Sequence, residues 1–473
     1  MKRICFHPAS RAAAALFAIA ALGPLATARA DLSALFTNAA QSATLPRRPS
    51  IVLIMAEGLG CGDLSCYGQT NFQTPNLDRL AAGGVRFTSY YAGSAASSPA
   101  RAALLLGREP GRLRQRADAD VPLAADETTL AQVLNAAGYH TGLIGEWNLG
   151  DDRTAGAPWL KGFDEFAGYF DPADAKNSYA DYMWRYAPRS LINPTNSQRE
   201  DFVGREMLYP NTGGKKGQYI PDLYALATMN FISINQPDPF NRYRPFFLLV
   251  NYPIPGSGRG EVPSDAPYSD EPWPPAAKNR AAMISRLDGY VGQLLEQLRK
   301  PGLSNSTVVF FTSDAGPQAD GNAAAKFFLS AGPFRGGRDT PYEGGLRVPM
   351  IAYGPGKISA GRVSDFAWAA WDFLPTVLDL ARVFSPTNID GLSLWPALQG
   401  QTQTNRHEVF HWQLRGRNTW HTVRLDDWEA VQPTADAPLE LYNLKTDPGE
   451  TNNVAGQNPD VVSRLQSFLK GDR

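Results

Sequence analysis

The run Ser50-Ile51-Val52-Leu53-Ile54-Met55 is apolar almost throughout, with none of the in-out alternation of a half-exposed strand. A strand must read this way when both of its faces are covered, as in the interior of a parallel sheet. Similar runs recur at Pro245-Phe246-Phe247-Leu248-Leu249-Val250, Thr307-Val308-Val309-Phe310-Phe311 and Val348-Pro349-Met350-Ile351-Ala352. Helical patterns lie between them. Glu127 to Gly138 follows Asp126 as the expected N-cap, with Leu130, Val133 and Leu134 on one face. Met283, Leu287, Val291, Leu294 and Leu298 form a longer stripe, which reads as core packing.

Buried strands alternating with helices predict an α/β fold: a large, mostly parallel sheet flanked by helices. Sites in such sheets form at the carboxyl ends of the strands, so chemistry is expected just after Met55 and Phe311. The pattern changes near residue 401. Trp and His alternate from Glu408 to Val423, followed by Leu439 to Leu444 and a helical stretch near Val461 to Leu469. These features predict a small C-terminal antiparallel sheet with one helix. Residues 49–400 are therefore read as the main domain and 401–473 as a subdomain.

Residues 1–30 are read as a signal peptide: Lys2 and Arg3 precede an apolar Ala12 to Leu25 stretch, and Ala28-Arg29-Ala30 offers a cleavage site. This predicts export to the periplasm or medium with cleavage near Ala30, and residues 31–48 read as a linker. No later segment is long and apolar enough to span a bilayer. A formal charge of −1 gives no global case for nucleic acid or an anionic membrane, so any anion chemistry must be local. Cys61 and Cys66 are the two mature cysteines. They pair across a tight loop or serve as small buried residues, and the second reading is preferred.

Several motifs in order now narrow the reading. Pro75-Asn76-Leu77-Asp78-Arg79-Leu80, Gly84-Val85-Arg86-Phe87-Thr88 and Ser97-Ser98-Pro99-Ala100-Arg101 are followed by Gly162-Phe163-Asp164-Glu165-Phe166. Further on come Tyr342-Glu343-Gly344-Gly345-Leu346-Arg347-Val348-Pro349 and Leu441-Tyr442-Asn443-Leu444, with Asp447-Pro448 and Glu450 behind. From about residue 49 to the C-terminus the chain resembles the type I sulfatases, which implies an alkaline phosphatase-like fold. The resemblance further implies a formylglycine made from a Cys or Ser, whose hydrate attacks sulfur. It also implies a calcium ion held by acidic and amide side chains, and Lys and His side chains that bind sulfate and protonate the leaving group.

Laid on that scheme, few chemical groups survive. Ser97 holds the formylglycine position, with Pro99 and Arg101 intact, but the usual Thr further along is Leu106. The family's A-D-D-x-G is Ala56-Glu57-Gly58-Leu59-Gly60, and its S-D-N-G is Ser313-Asp314-Ala315-Gly316. Glu57 and Asp314 are the candidate metal ligands, with Gly58 and Ala315 in place of the others. The family's G-K-W-H-L-G is Gly145-Glu146-Trp147-Asn148-Leu149-Gly150, a further His falls near Gly256, and the later Lys is Arg338. A charge about 4 Å from sulfate is worth roughly 4 kcal/mol at an effective dielectric near 20, so Glu146 for Lys reverses a large term.

These changes fall on the chemistry and spare the motifs between, which points to a non-hydrolysing or very weakly active pseudosulfatase that binds a sulfated or anionic ligand or a protein partner. The alternative is an active sulfuric ester hydrolase with Ser97 as formylglycine precursor. A phosphatase-like use of Ser97 as direct nucleophile needs the same metals. At residue level two questions stay open. Ser97 is either a formylglycine precursor or a hydroxyl capping the Arg101 to Leu106 helix. Glu57 and Asp314 form a weak calcium site or pair with Arg101 or Arg338. His140, His407, His411 and His421 lie off the motifs and read as structural.

Overall fold

The computed structural model describes residues 47–115, 119, 121–187, 201–236, 244–256, 260–318, 322–415 and 419–469. The signal peptide expected at residues 1–30, with its expected cleavage near Ala30, and nearly all of the expected linker lie outside the described residues. In chain order the strands are β1 (Ser50–Glu57), β2 (Gly84–Phe87), β3 (Tyr90–Tyr91), β4 (His140–Glu146), β5 (Glu165–Tyr169), β6 (Tyr182–Ala187), β7 (Phe202–Met207) and β8 (Phe246–Pro255). They continue with β9 (Thr307–Ser313), β10 (Met350–Tyr353), β11 (Arg362–Ser364) and β12 (Trp368–Ala369). A last group comprises β13 (Phe410–Leu414), β14 (Trp420–Leu425), β15 (Trp428–Gln432) and β16 (Glu440–Asn443).

The ten-stranded main sheet runs β11-β2-β10-β9-β1-β8-β4-β5-β6-β7. Its centre, β9-β1-β8-β4-β5, is parallel. Every residue of β1 is buried, as its unbroken apolar run requires. The run at Val348 to Ala352 forms a strand too, but β10 is antiparallel to both β9 and β2. Helices cover the sheet on both faces, and the stripe from Met283 to Leu298 lies inward on the helix Pro275–Leu298.

The expected Glu127 to Gly138 helix is shorter, Leu130–Ala136. Its cap is Thr129, whose side chain accepts from the Gln132 N–H while Gln132 returns a bond to the Thr129 N–H. Glu127 instead accepts from the Ala124 N–H, so Asp126 does not start the helix. Among the described residues no helix is long and apolar enough to cross a membrane. Both cysteines are free thiols, and burial pushes each up to about 12, where it is unreactive.

The predicted C-terminal sheet is β13-β14-β15-β16, fully antiparallel, with the helix Pro459–Leu469 packed on it. Phe410, Trp412, Leu414 and Trp420 reach past it into the core shared with the main sheet. At this junction Glu343, Glu429 and Glu450 are all buried. Arg347 bonds Glu343 at 2.8 Å, Tyr91 donates to the same carboxylate, and Arg424 bonds the Tyr91 hydroxyl, while the Glu429 carboxylate makes no hydrogen bond among the described residues. Burial, then the charge of Glu343, pushes Glu450 up to about 9; burial, then Glu450, pushes Glu429 well above the usual range.

A carboxyl whose affinity for protons is higher in the folded than in the unfolded state stabilises fully below the unfolded value near 4.5. That stability drains as pH rises and is gone once pH passes the folded value near 9. The chain is therefore expected to lose stability on the order of a few kcal/mol between those limits. Glu450→Gln should flatten the thermal midpoint against pH, since an amide oxygen still accepts from the Glu343 N–H. Equal slopes for variant and parent would refute this account.

Candidate functional site

The ends of β1 and β9 lie side by side, paired through Ala56 and Ser313, which brings Glu57 and Asp314 together at the carboxyl edge of the sheet. A register shift against β8 falls between Ala56 and Glu57, and such a bulge re-aims the side chain that follows it. Asp314 accepts from the Gly58 N–H at 3.1 Å, and Ser313 accepts from the Leu59 N–H at 2.9 Å, so the two strand ends are tied to each other. Beneath the Gly58 turn the buried Arg280 bonds Asp63 at 2.6 Å and reaches the Gly58 carbonyl.

Ser97 opens the helix Ser97–Leu106, whose N-cap is Ala96 and not Ser97. The expected capping bond is absent because the hydroxyl is turned to the sheet, where it donates to Asp314 at 2.5 Å and accepts from Arg338. One turn on, Arg101 donates to Glu146 at 2.7 Å and lies 3.5 Å from Asp314. Glu146 ends β4, and its carboxylate points into the same cluster.

Arg338 lies between the two surviving acidic positions, 3.2 Å from Glu57 and 4.0 Å from Asp314. Lys176 adds a third cation at 3.4 Å from Glu57. Sequence reasoning missed Lys176, and no motif marks it. It follows the short helix Pro172–Ala175, which Asp171 caps, and only the fold carries it to the end of β1. Gly256 also reaches the site: its N–H donates to the Glu57 carbonyl at 2.8 Å. Asn148 lies beyond Glu146 with left-handed backbone, and its side chain makes no hydrogen bond among the described residues.

The carboxylates Glu57, Glu146 and Asp314 thus face the cations Arg101, Lys176 and Arg338, with the charge of Asp339 also acting on Arg338. Burial, then the charge of Glu146, pushes Glu57 up to about 7. Burial acts on Glu146 in the same direction, but the charge and hydrogen bond of Arg101 outweigh it and hold the carboxyl below its usual range. Burial likewise opposes the charge on Arg338, and Asp314 and Glu57 overcome it, so the guanidinium stays protonated. The sequence-level view of Glu146 as a free charge repelling sulfate needs revising: its main effect is to engage Arg101.

The donor set fits calcium badly. The ion takes roughly six to eight oxygens. Gly58 and Ala315 bring no side-chain oxygen, and a guanidinium lies between the remaining two carboxylates. Among the described residues no three His, Cys, Asp or Glu side chains are grouped to hold a metal. The four histidines among the described residues are elsewhere. His140 bridges Asp164 and Glu165, His407 bonds Asp372, and His411 stacks on His421.

The chain matches the family model described as Sulfatase over residues 49–383, and that of the N-sulphoglucosamine sulphohydrolase C-terminal region over residues 338–472. It is 32% identical to arylsulfatase A of Homo sapiens, across 89% of this chain and 87% of that protein. It is 33% identical to N-acetylgalactosamine-6-sulfatase of Canis lupus familiaris, across 88% and 77%. Among solved structures, Ps i-CgsB in complex with k-i-k-neocarrahexaose superposes with a TM-score of 0.72 at 25% identity, covering 90% of this chain and 92% of that one. A phosphonate monoester hydrolase of Agrobacterium radiobacter shares the fold at a TM-score of 0.63 and 20% identity. With its motifs in order, its sheet topology and a family match over most of its length, this chain belongs to the sulfatase family.

Proposed function

We propose that this sulfatase-family protein is exported and does not hydrolyse sulfate esters, or does so only vestigially, and that it acts by binding. The observation that carries the reading is the position of Arg338, 3.2 Å from Glu57 and 4.0 Å from Asp314 and bonded to Ser97. A protein cation fills the role that the family gives to calcium, and carboxylates surround it. Ser97 spends its proton on Asp314, and among the described residues no His stands near to serve as acid or base. Arg101, from the formylglycine signature, and Arg338, at the later Lys position, are already engaged by carboxylates.

The active reading, with Ser97 converted to formylglycine, requires those pairs to open and other oxygens to complete a calcium site. Metal analysis and calorimetric titration of the purified protein separate the two. Calcium at up to millimolar concentration should give no stoichiometric heat, and chelator should leave the thermal midpoint unchanged. Mass spectrometry of the Ser97 peptide should return unmodified serine. A tightly held calcium, or an aldehyde at Ser97, would favour the active reading.

A further inference from the structure

The C-terminal sheet carries His411 on β13 and His421 on β14, on the face that also bears Val423 and Ala430 and opposite the face that buries Trp412 and Trp420. The strands pair Gln413 directly with His421 and His411 with Val423, so the two histidines are diagonal neighbours, a spacing that long side chains bridge. His411 Nε2 lies 3.3 Å from His421 Nδ1, the ring centroids are 5.5 Å apart, and both side chains are half-buried.

The surrounding hydrogen bonds assign the protons of the pair. Arg415 Nε donates to Gln413 Oε1 at 3.2 Å, which turns Gln413 Nε2 toward His421 Nε2, 3.4 Å away. That ring nitrogen therefore accepts, Nδ1 carries the proton, and His411 Nε2 receives it. Burial, then the charge of Arg415, holds His421 below the usual imidazole range. The ring is thus neutral at neutral pH, as a metal ligand must be.

We propose that His411 and His421 bind a divalent ion of the zinc or copper kind, which takes the place of their shared proton and clips β13 to β14. Imidazole nitrogens hold zinc at about 2.0–2.1 Å with near-tetrahedral angles, which sets neighbouring ligand nitrogens roughly 3.3–3.4 Å apart. The pair already has that separation. Each ring has only to turn about its second side-chain torsion, a broad two-fold one, to bring its lone pair onto the ion. The His421 proton moves to Nε2, and the Gln413 amide turns its oxygen to accept it. An outer partner of this kind fixes the tautomer of a ligating histidine. Half-buried side chains leave water access to the remaining coordination positions. Because the protein ligands are fewer than in structural zinc sites, the ion binds reversibly to a sheet that is already folded. The pair lies on a different sheet from the Glu57 and Asp314 cluster, and the proposal holds whether or not the chain hydrolyses sulfate.

Calorimetric titration of the chelator-stripped full chain with zinc chloride, and with copper(II) chloride, near neutral pH tests it. One zinc ion should bind per chain and raise the thermal midpoint as its concentration rises. His421→Ala should weaken binding at least about tenfold, and His411→Phe, which keeps an aromatic ring, should do the same. Gln413→Glu should tighten it by about tenfold, because a carboxylate accepts the Nε2 proton more strongly while its other oxygen keeps the Arg415 bond. A gain of affinity cannot come from a failure to fold. No zinc binding by the parent chain, binding left unchanged by both histidine variants, or a Gln413→Glu variant that binds no more tightly would each overturn the proposal.

Discussion

Purified protein, co-expressed with a formylglycine-generating enzyme, is expected to release no sulfate from aryl sulfates above background, and Ser97→Ala is expected to change nothing. The Ser97 hydroxyl is bonded to Asp314 and Arg338, Asn148 and Gly256 cannot transfer a proton as histidine would, and Glu146 engages Arg101. Each lost transition-state contact typically costs about a hundredfold or more in rate, although coupled losses do not add simply. Gly58→Asp, Glu146→Lys, Asn148→His and Ala315→Asn together are the variant most able to regain activity. An added Cβ at Gly58 meets nothing closer than 3.7 Å, and Asp tolerates its left-handed backbone better than most residues. Histidine at Gly256 is a different matter, because its Cβ would come within 2.4 Å of the Pro253 carbonyl oxygen and the backbone would have to shift. Robust turnover by the parent chain, abolished by Ser97→Ala, would make it an active sulfatase with an unfamiliar site.

The largest expected loss of stability comes from Arg101→Met. Arg101 and Glu146 are both almost wholly buried and lie 2.7 Å apart. Removing the cation strands a carboxylate that water cannot reach, which costs about 3–5 kcal/mol in comparable pairs. Removing both charges, with Arg101→Met and Glu146→Leu, should recover most of that, because an apolar pair of similar volume incurs no desolvation of ions. Denaturant unfolding of parent, single and double variants measures the difference. If the double variant is as unstable as the single, the pair is not what holds this part of the site.

The family, the covered strands and the strand ends at which the candidate site is sought were all present in the order of residues. An uninterrupted apolar run has one economical environment, the middle of a sheet, and the residue after such a run then falls at its carboxyl edge. Gly58 and Ala315 likewise bring no side-chain oxygen to the positions where the resemblance places ligands, since a side chain that does not exist cannot be supplied by folding. The tertiary structure decided how the remaining charges are matched. That Ser97 bonds Asp314 in place of capping its own helix, that Glu146 holds Arg101, and that Lys176 reaches Glu57 are contacts between segments far apart in the chain. Local pattern carries no record of such distances. The same holds for the helix that Thr129 starts one turn later than Asp126 would, because the Thr129 hydroxyl also donates to the Lys161 carbonyl from a separate turn. Sequence determines which groups a chain owns, and the fold determines which of them are left free to meet a ligand, since pairing energies depend on separation and burial.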